Sequence, residues 1–328
     1  MIRGAVAISP LLAGGFLLAA TAAAADVRLE LRGRIQPPPG EFAAVTLHGS
    51  DFPFNAQTHS DTSGRFRFRK LEPGQYVVIV ALPARGEVRR TIVVTPGVAD
   101  RRGRIEVTVP FEPSGEALQN SATIDYRRLT IADRARSEFD KARSRLGKRD
   151  VDGAIRHLEK AVAISPHFVE AWNSLGTIAY QTGRYADAER YFRTALGYDP
   201  NDYSPLVNLG GALLSLQRPR DALPYNEQAV ALRPDEALAH SQLGLNWFLL
   251  GDDEKARRHL EEARRIDPSH FSHPQITLAR IHISRGAWAE ARRELEDFLK
   301  RHPDATNARA ARQWIERFPK VGSGGPAR

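Results

Sequence analysis

Residues 171–200 read AWNSLGTIAYQTGRYADAERYFRTALGYDP, and the proline that closes this stretch marks the period of half the chain. Pro166, Pro200, Pro234 and Pro268 stand 34 residues apart, and Pro303 follows at 35, with one residue inserted around SHFSHP. Twelve residues before each proline lies an alanine: Ala154, Ala188, Ala222, Ala256 and Ala291. Self-similarity at such a period predicts stacked helix pairs, each unit burying its apolar face against the next. Small residues (Gly176, Gly210, Gly244 and Ala279) let the first helix of each pair approach the second, while Trp172, Phe192, Trp247 and Leu260 fill the seams. The proline ends the second helix, because it lacks the N–H and clashes with the preceding turn.

Trp172, Leu175, Gly176, Tyr185, Ala188, Phe192, Ala195 and Pro200 closely resemble the tetratricopeptide (TPR) pattern. Five repeats are expected, at about 133–166, 167–200, 201–234, 235–268 and 269–303. The first carries Glu138 and Lys141 where the pattern has Trp and Leu, so it reads as an amino-terminal cap. DATNARAARQWIERF reads as a closing amphipathic helix over residues 304–318, covering the last repeat through Trp314, Ile315 and Phe318, before a disordered tail at 319–328.

The resemblance implies a concave surface, lined by the first helix of each repeat, that holds a protein or peptide partner. Spacings of three and four place Asn173, Thr177 and Tyr180 on one face, then Val207 and Leu214, then Ser241, Leu245 and Phe248, then Ile276 and Arg280. The middle of this stripe is apolar, which marks a binding surface when exposed. The alternative is an array curled enough to bury these side chains against one another or against the linker. A lysine-and-asparagine clamp for a terminal carboxylate is not expected, since the surface offers no lysine and only Asn173 and Asn208 as amides.

Ahead of the repeats, from Val27 to about Phe111, short alternating segments are broken by Pro and Gly clusters. They are VRLELRGRI, AAVTLHG, GRFRFRK, QYVVIVAL, EVRRTIVV and RIEVTVPF, and they predict an antiparallel β-sandwich over 26–111, joined by a polar linker at 112–130. In RFRFR (65–69), Phe66 and Phe68 fall on one face of a strand and Arg65, Arg67 and Arg69 on the other. Burying the phenylalanines is favourable and burying unpaired arginines is not, so the arginines face water. Thr58 or Thr62, Gly64, Phe66, Phe68, Leu71, Gly74, Tyr76, Val78 and Val80 resemble the signature of transthyretin-like domains, of the carboxypeptidase regulatory-like kind. Related domains act as spacers, adhesion modules or carbohydrate binders. The loop SDFPFNAQTHS offers Phe52, Phe54, Asn55 and His59 as a candidate glycan platform, against the reading of a solvated loop with one phenylalanine capping the core.

The fold class is therefore multidomain, a β-sandwich followed by an all-α superhelical solenoid. The first 25 residues combine Arg3, an apolar run from Ala5 to Ala20 and an Ala-x-Ala ending, the pattern of a secretory signal peptide cleaved before Asp26. An uncleaved anchor is the other reading. The 328-residue chain has no cysteine, which excludes disulfides, thiolate nucleophiles and lipoprotein acylation. Its net charge of +8 favours anionic partners, although export argues against nucleic acid. No nucleotide-binding, hydrolase or zinc-protease motif occurs. His270 and His273 read as a surface loop rather than a metal site. The function expected is a non-enzymatic, cofactor-free docking scaffold of the cell envelope, with an envelope carbohydrate-binding protein as the rival reading.

Overall fold

A computed structural model of the protein describes residues 29–82, 85–111 and 130–319. The leader, nearly all of the linker and residues 320–328 of the tail lie outside these residues. The strands are β1 Leu29–Gln36, β2 Ala44–Gly49, β3 Asn55–His59, β4 Arg65–Leu71, β5 Gly74–Leu82, β6 Gly86–Val94 and β7 Arg104–Pro110. They form two layers, of order β4-β1-β7 and β3-β2-β5-β6. Leu31, Ile35, Phe66 and Phe68 from one layer meet Val45, Leu47, Tyr76 and Val80 from the other in a single core.

The strand layout departs from the sequence reading in two places. Segment 55–59 is a strand rather than part of a loop; it is short and polar, as suits the edge of a sheet. Strand β7 runs parallel to β1, because the crossover at 95–103 returns the chain from β6 to the other layer in the direction of β1.

Helices then alternate: α1 Asp133–Gly147, α2 Val151–Ile164, α3 Val169–Gln181, α4 Tyr185–Tyr198, α5 Tyr203–Ser215 and α6 Pro219–Leu232. The array continues with α7 Ala237–Leu250, α8 Asp253–Ile266, α9 Pro274–Ser284 and α10 Trp288–Arg301, and ends at α11 Ala308–Arg317. A Cβ on Gly176 would overlap the Phe192 ring, which explains why the helix pair needs glycine there. Trp314, Ile315 and Phe318 close the array against Leu295 and Phe298. One seam is polar. Leu158, Phe192, Leu260 and Leu295 are buried at equivalent positions, and the third repeat has Asn226 instead. Its Nδ2 donates to Asn246 Oδ1 at 2.8 Å, and Asn246 Nδ2 donates to the Pro219 carbonyl at 2.8 Å.

Candidate functional site

Alternation along β2, β5 and β6 points His48, Val77, Ile79, Glu87, Arg89 and Thr91 out of the sandwich. In an isolated domain this face would be wet. Here it lies against the repeats. The middle and last turns of α3, the N-terminal turns of α5 and α7, and the loops preceding α7 and α9 face it across a cleft of about 580 Å³. Gln181 Nε2 donates to the Gly49 carbonyl at 3.0 Å, and the Thr91 N–H donates to Asp267 Oδ2 at 3.0 Å. Arg149, in the turn after α1 with φ +58°, reaches back to Glu72 at 2.8 Å and lies over the Phe52 and Phe54 rings at 5.0 and 5.6 Å.

Four charges cross the interface together. Arg233 contacts Glu87 at 2.8 Å and Glu236 at 3.4 Å, while Arg89 contacts Glu87 at 2.7 Å and Glu236 at 3.4 Å. Both guanidinium groups lie over the Tyr203 ring, at 6.0 Å for Arg89 and 4.6 Å for Arg233. Burial alone would raise the Glu87 carboxyl, but the two arginines outweigh it and hold Glu87 below the usual range. Burial wins at Glu236, which is pushed up. Burial also opposes the charge on Arg89, yet Glu236 and Glu87 keep it firmly protonated. Removing any one member leaves the others partly desolvated and unbalanced.

Histidines line the same contact in their neutral form. Burial, with Arg89 and Arg143 nearby, lowers His48 to about 4. Burial and His302 lower His270 to about 3, and burial lowers His302 to about 4. His302 Nδ1 stands 3.4 Å from Gln75 Nε2 of the sandwich, and its ring lies 4.4 Å from that of His273. Among the described residues, no group of three or more His, Asp or Glu side chains is arranged to hold a metal ion.

The stripe expected from the sequence divides between two places. Asn173, Thr177 and Val207 line the interdomain cleft, where Asn208 Nδ2 donates to Asn173 Oδ1 at 2.9 Å. Val207, Leu214 and Ser241 are buried, so they are not part of an exposed strip. Tyr180, Leu245 and Phe248 remain half-buried along the later turns of α3 and α7. Tyr180 and Leu245 pack on the cluster that contains Leu214. Arg280 lies over the Phe248 ring at 4.7 Å and has no carboxylate at ion-pair distance among the described residues. Burial with no such relief lowers its pKa. Ile276 packs into the cluster that closes the array.

The candidate glycan residues also separate. Phe52 and Phe54 pack edge-on against Tyr76, at 5.1 and 5.5 Å, beneath Arg149. Burial pushes the Tyr76 hydroxyl up to about 12. Asn55 lines the interdomain cleft, whereas His59 lies on the far side in another trough. Sequence reasoning missed the whole contact between sandwich and repeats. One signal for it was present: QYVVIVAL is apolar on both faces, as expected of a strand covered on both sides.

Models of the tetratricopeptide repeat match residues 139–204, and also 179–244 and 248–315. A model of the carboxypeptidase regulatory-like domain matches residues 30–109. Among curated proteins, the chain is 35% identical over 94 residues to the Hsp70-Hsp90 organizing protein of Triticum aestivum, covering 29% of this chain and 16% of that one. It is 30% identical over 112 residues to the cell division cycle protein 16 homolog of Homo sapiens, covering 31% of this chain and 18% of that one. The chain thus spans less than a fifth of the length of these relatives. Among solved structures, a thermophilic TPR protein of Thermus thermophilus is 21% identical with a TM-score of 0.46, over 56% of this chain and 99% of that one. The repeat matches span more than half of the chain, which belongs to the tetratricopeptide repeat family and carries a carboxypeptidase regulatory-like domain ahead of its repeats.

Proposed function

We propose that the chain is an exported, non-enzymatic interaction scaffold that holds a protein segment along the part of the repeat surface the sandwich leaves open. One observation carries this reading. Tyr180, Leu245 and Phe248 keep part of their apolar surface open, and Arg280 sits on Phe248 with its charge desolvated and no carboxylate at ion-pair distance among the described residues. A partner segment with apolar anchors and one acidic side chain satisfies both features, because the apolar contact supplies burial and the acidic group restores a charge partner. Membership of a repeat family with interaction proteins among its relatives supports the same reading.

Leu245→Glu tests it. The expected result is loss of partner capture from envelope extract, with the helical melt retained. Undiminished capture by a folded variant would sink the proposal, and fractionation of cells would test the assigned compartment.

A second reading rests on the amides Asn55, Asn173 and Asn208 around the interdomain cleft, which suit a neutral glycan. Asn55→Ala and Asn173→Ala would then abolish retention on envelope polysaccharide while leaving protein capture intact.

A further inference from the structure

The outer face of the β4-β1-β7 sheet is the side of the sandwich turned away from the repeats, and it carries the arginines of RFRFR. Strand register sets Arg32 opposite Arg67 and Arg34 opposite Arg65 across β1 and β4. Directly opposed like charges destabilise a sheet, so solvation alone does not favour this pattern. Arg32 and Arg67 share Glu30, at 3.0 and 3.9 Å. Arg34 and Arg65 have no carboxylate at ion-pair distance from their side chains among the described residues. Asp61 lies at the rim, but its carboxylate accepts from Ser63 Oγ at 2.7 Å and from the Arg65 N–H at 2.9 Å. Phe42 lines the same trough and is 66% exposed, more than any other large apolar side chain among the described residues.

We infer that this face docks on an anionic phospholipid surface. Arginine forks match phosphate oxygens in pairs, and a broad sheet presents several of them in one plane to a surface of headgroups. Phe42 selects this occupant over a soluble polyanion. An aromatic ring beside a basic face has an apolar destination at the boundary between headgroups and acyl chains, and its exposure is otherwise unfavourable. The repeats contact the opposite layer of the sandwich, so lipid docking leaves the interdomain contact and the strip at Leu245 and Phe248 undisturbed.

The test is co-sedimentation of residues 26–328 with phosphatidylcholine vesicles, with or without phosphatidylglycerol. All described contacts lie within residues 29–319, so this chain retains them. Binding is expected only to the anionic vesicles, and it should weaken as salt rises. The pair Arg34→Gln and Arg65→Gln should lower the partition coefficient about 25-fold, at about five-fold per arginine near an anionic surface. Phe42→Ser should weaken binding without changing its salt dependence. The pair Arg190→Gln and Arg293→Gln, which removes the same charge from the repeats, should leave binding within about two-fold. The inference is overturned by an equal loss in the repeat variant, which would mean that net charge alone is responsible. Absence of binding to anionic vesicles also overturns it, as does binding to soluble polyphosphate that is indifferent to Phe42→Ser.

Discussion

The two outer faces of the sandwich have the same strand geometry and opposite fates. On β4-β1-β7 the outward positions carry Arg32, Arg34, Arg65 and Arg67 together with Glu30 and Glu106, while the alternate positions of β1 are buried. On β3-β2-β5-β6 the outward positions include Val77 and Ile79 beside Glu87 and Arg89, and all four are partly or wholly covered by the repeats. The covered face pairs each charge it buries. The open face opposes like charges across β1 and β4 and opposite charges across β1 and β7, and it leaves Arg34 and Arg65 without a carboxylate at ion-pair distance among the described residues. Charge on a β-sheet is therefore informative through its pairing: a closed network marks an interface already filled, and an unpaired row marks a surface without an internal partner.

The largest break in this contrast should come from Arg89→Leu. It leaves Glu87 and Glu236 to share Arg233 alone, at a cost of about 2–3 kcal/mol, because one cation then faces two partly buried carboxylates. The amide of Thr91, which donates to Asp267, should lose its protection from hydrogen exchange, while core amides of β5 keep theirs. Retained protection at Thr91 would show that the network does not hold the domains together.

A smaller effect is expected from acid. His48, His270 and His302 have folded pKa values depressed by burial to about 4, 3 and 4, against an ordinary value near 6.5. The unfolded chain therefore binds more protons below pH 6.5, so the stability these groups provide is complete above that pH and falls as pH drops toward 4. Thermal melts between pH 7 and pH 4.5 should shift downward, and the shift should shrink in His48→Gln. Identical pH profiles for the variant and the parent chain would remove His48 from the account.

The smallest effect belongs to the open face. Arg65→Gln should change the denaturation midpoint by less than about 0.5 kcal/mol, slightly toward greater stability, because it relieves the opposition to Arg34. A clear loss of stability would mean that this face has an unrecognised structural partner.

Much of the architecture was legible in the residues. Prolines at a fixed period disclose the helix pairs, and the alternation in RFRFR discloses which side of that strand is dry. Strand β3 was not legible, because NAQTH lies at a sheet edge where burial imposes little pattern. The docking of one domain on the other was illegible for a different reason. Helical spacing assigns Val207 to the concave stripe, but the same spacing fits a side chain open to solvent and one covered from above. Glu87, Arg89, Arg233 and Glu236 are ordinary surface residue types, and only the fold brings them within reach of one another. The continuous apolar run of β5 was the one local sign that a second layer lay outside the sheet.

The bond from the Thr91 amide to Asp267 has a consequence beyond attachment. Strand β6 ends its sheet, so its outer N–H groups form a template on which another chain could add a strand. The repeats cap one of these groups, the Thr91 N–H, with the Asp267 carboxylate. A molecule that opens between its domains therefore exposes a strand able to pair with its counterpart on a second opened molecule. Such encounters rise with concentration, so crowding rather than heat alone sets the hazard of polymerisation, and the repeats act as the sandwich's own chaperone for as long as they stay in place.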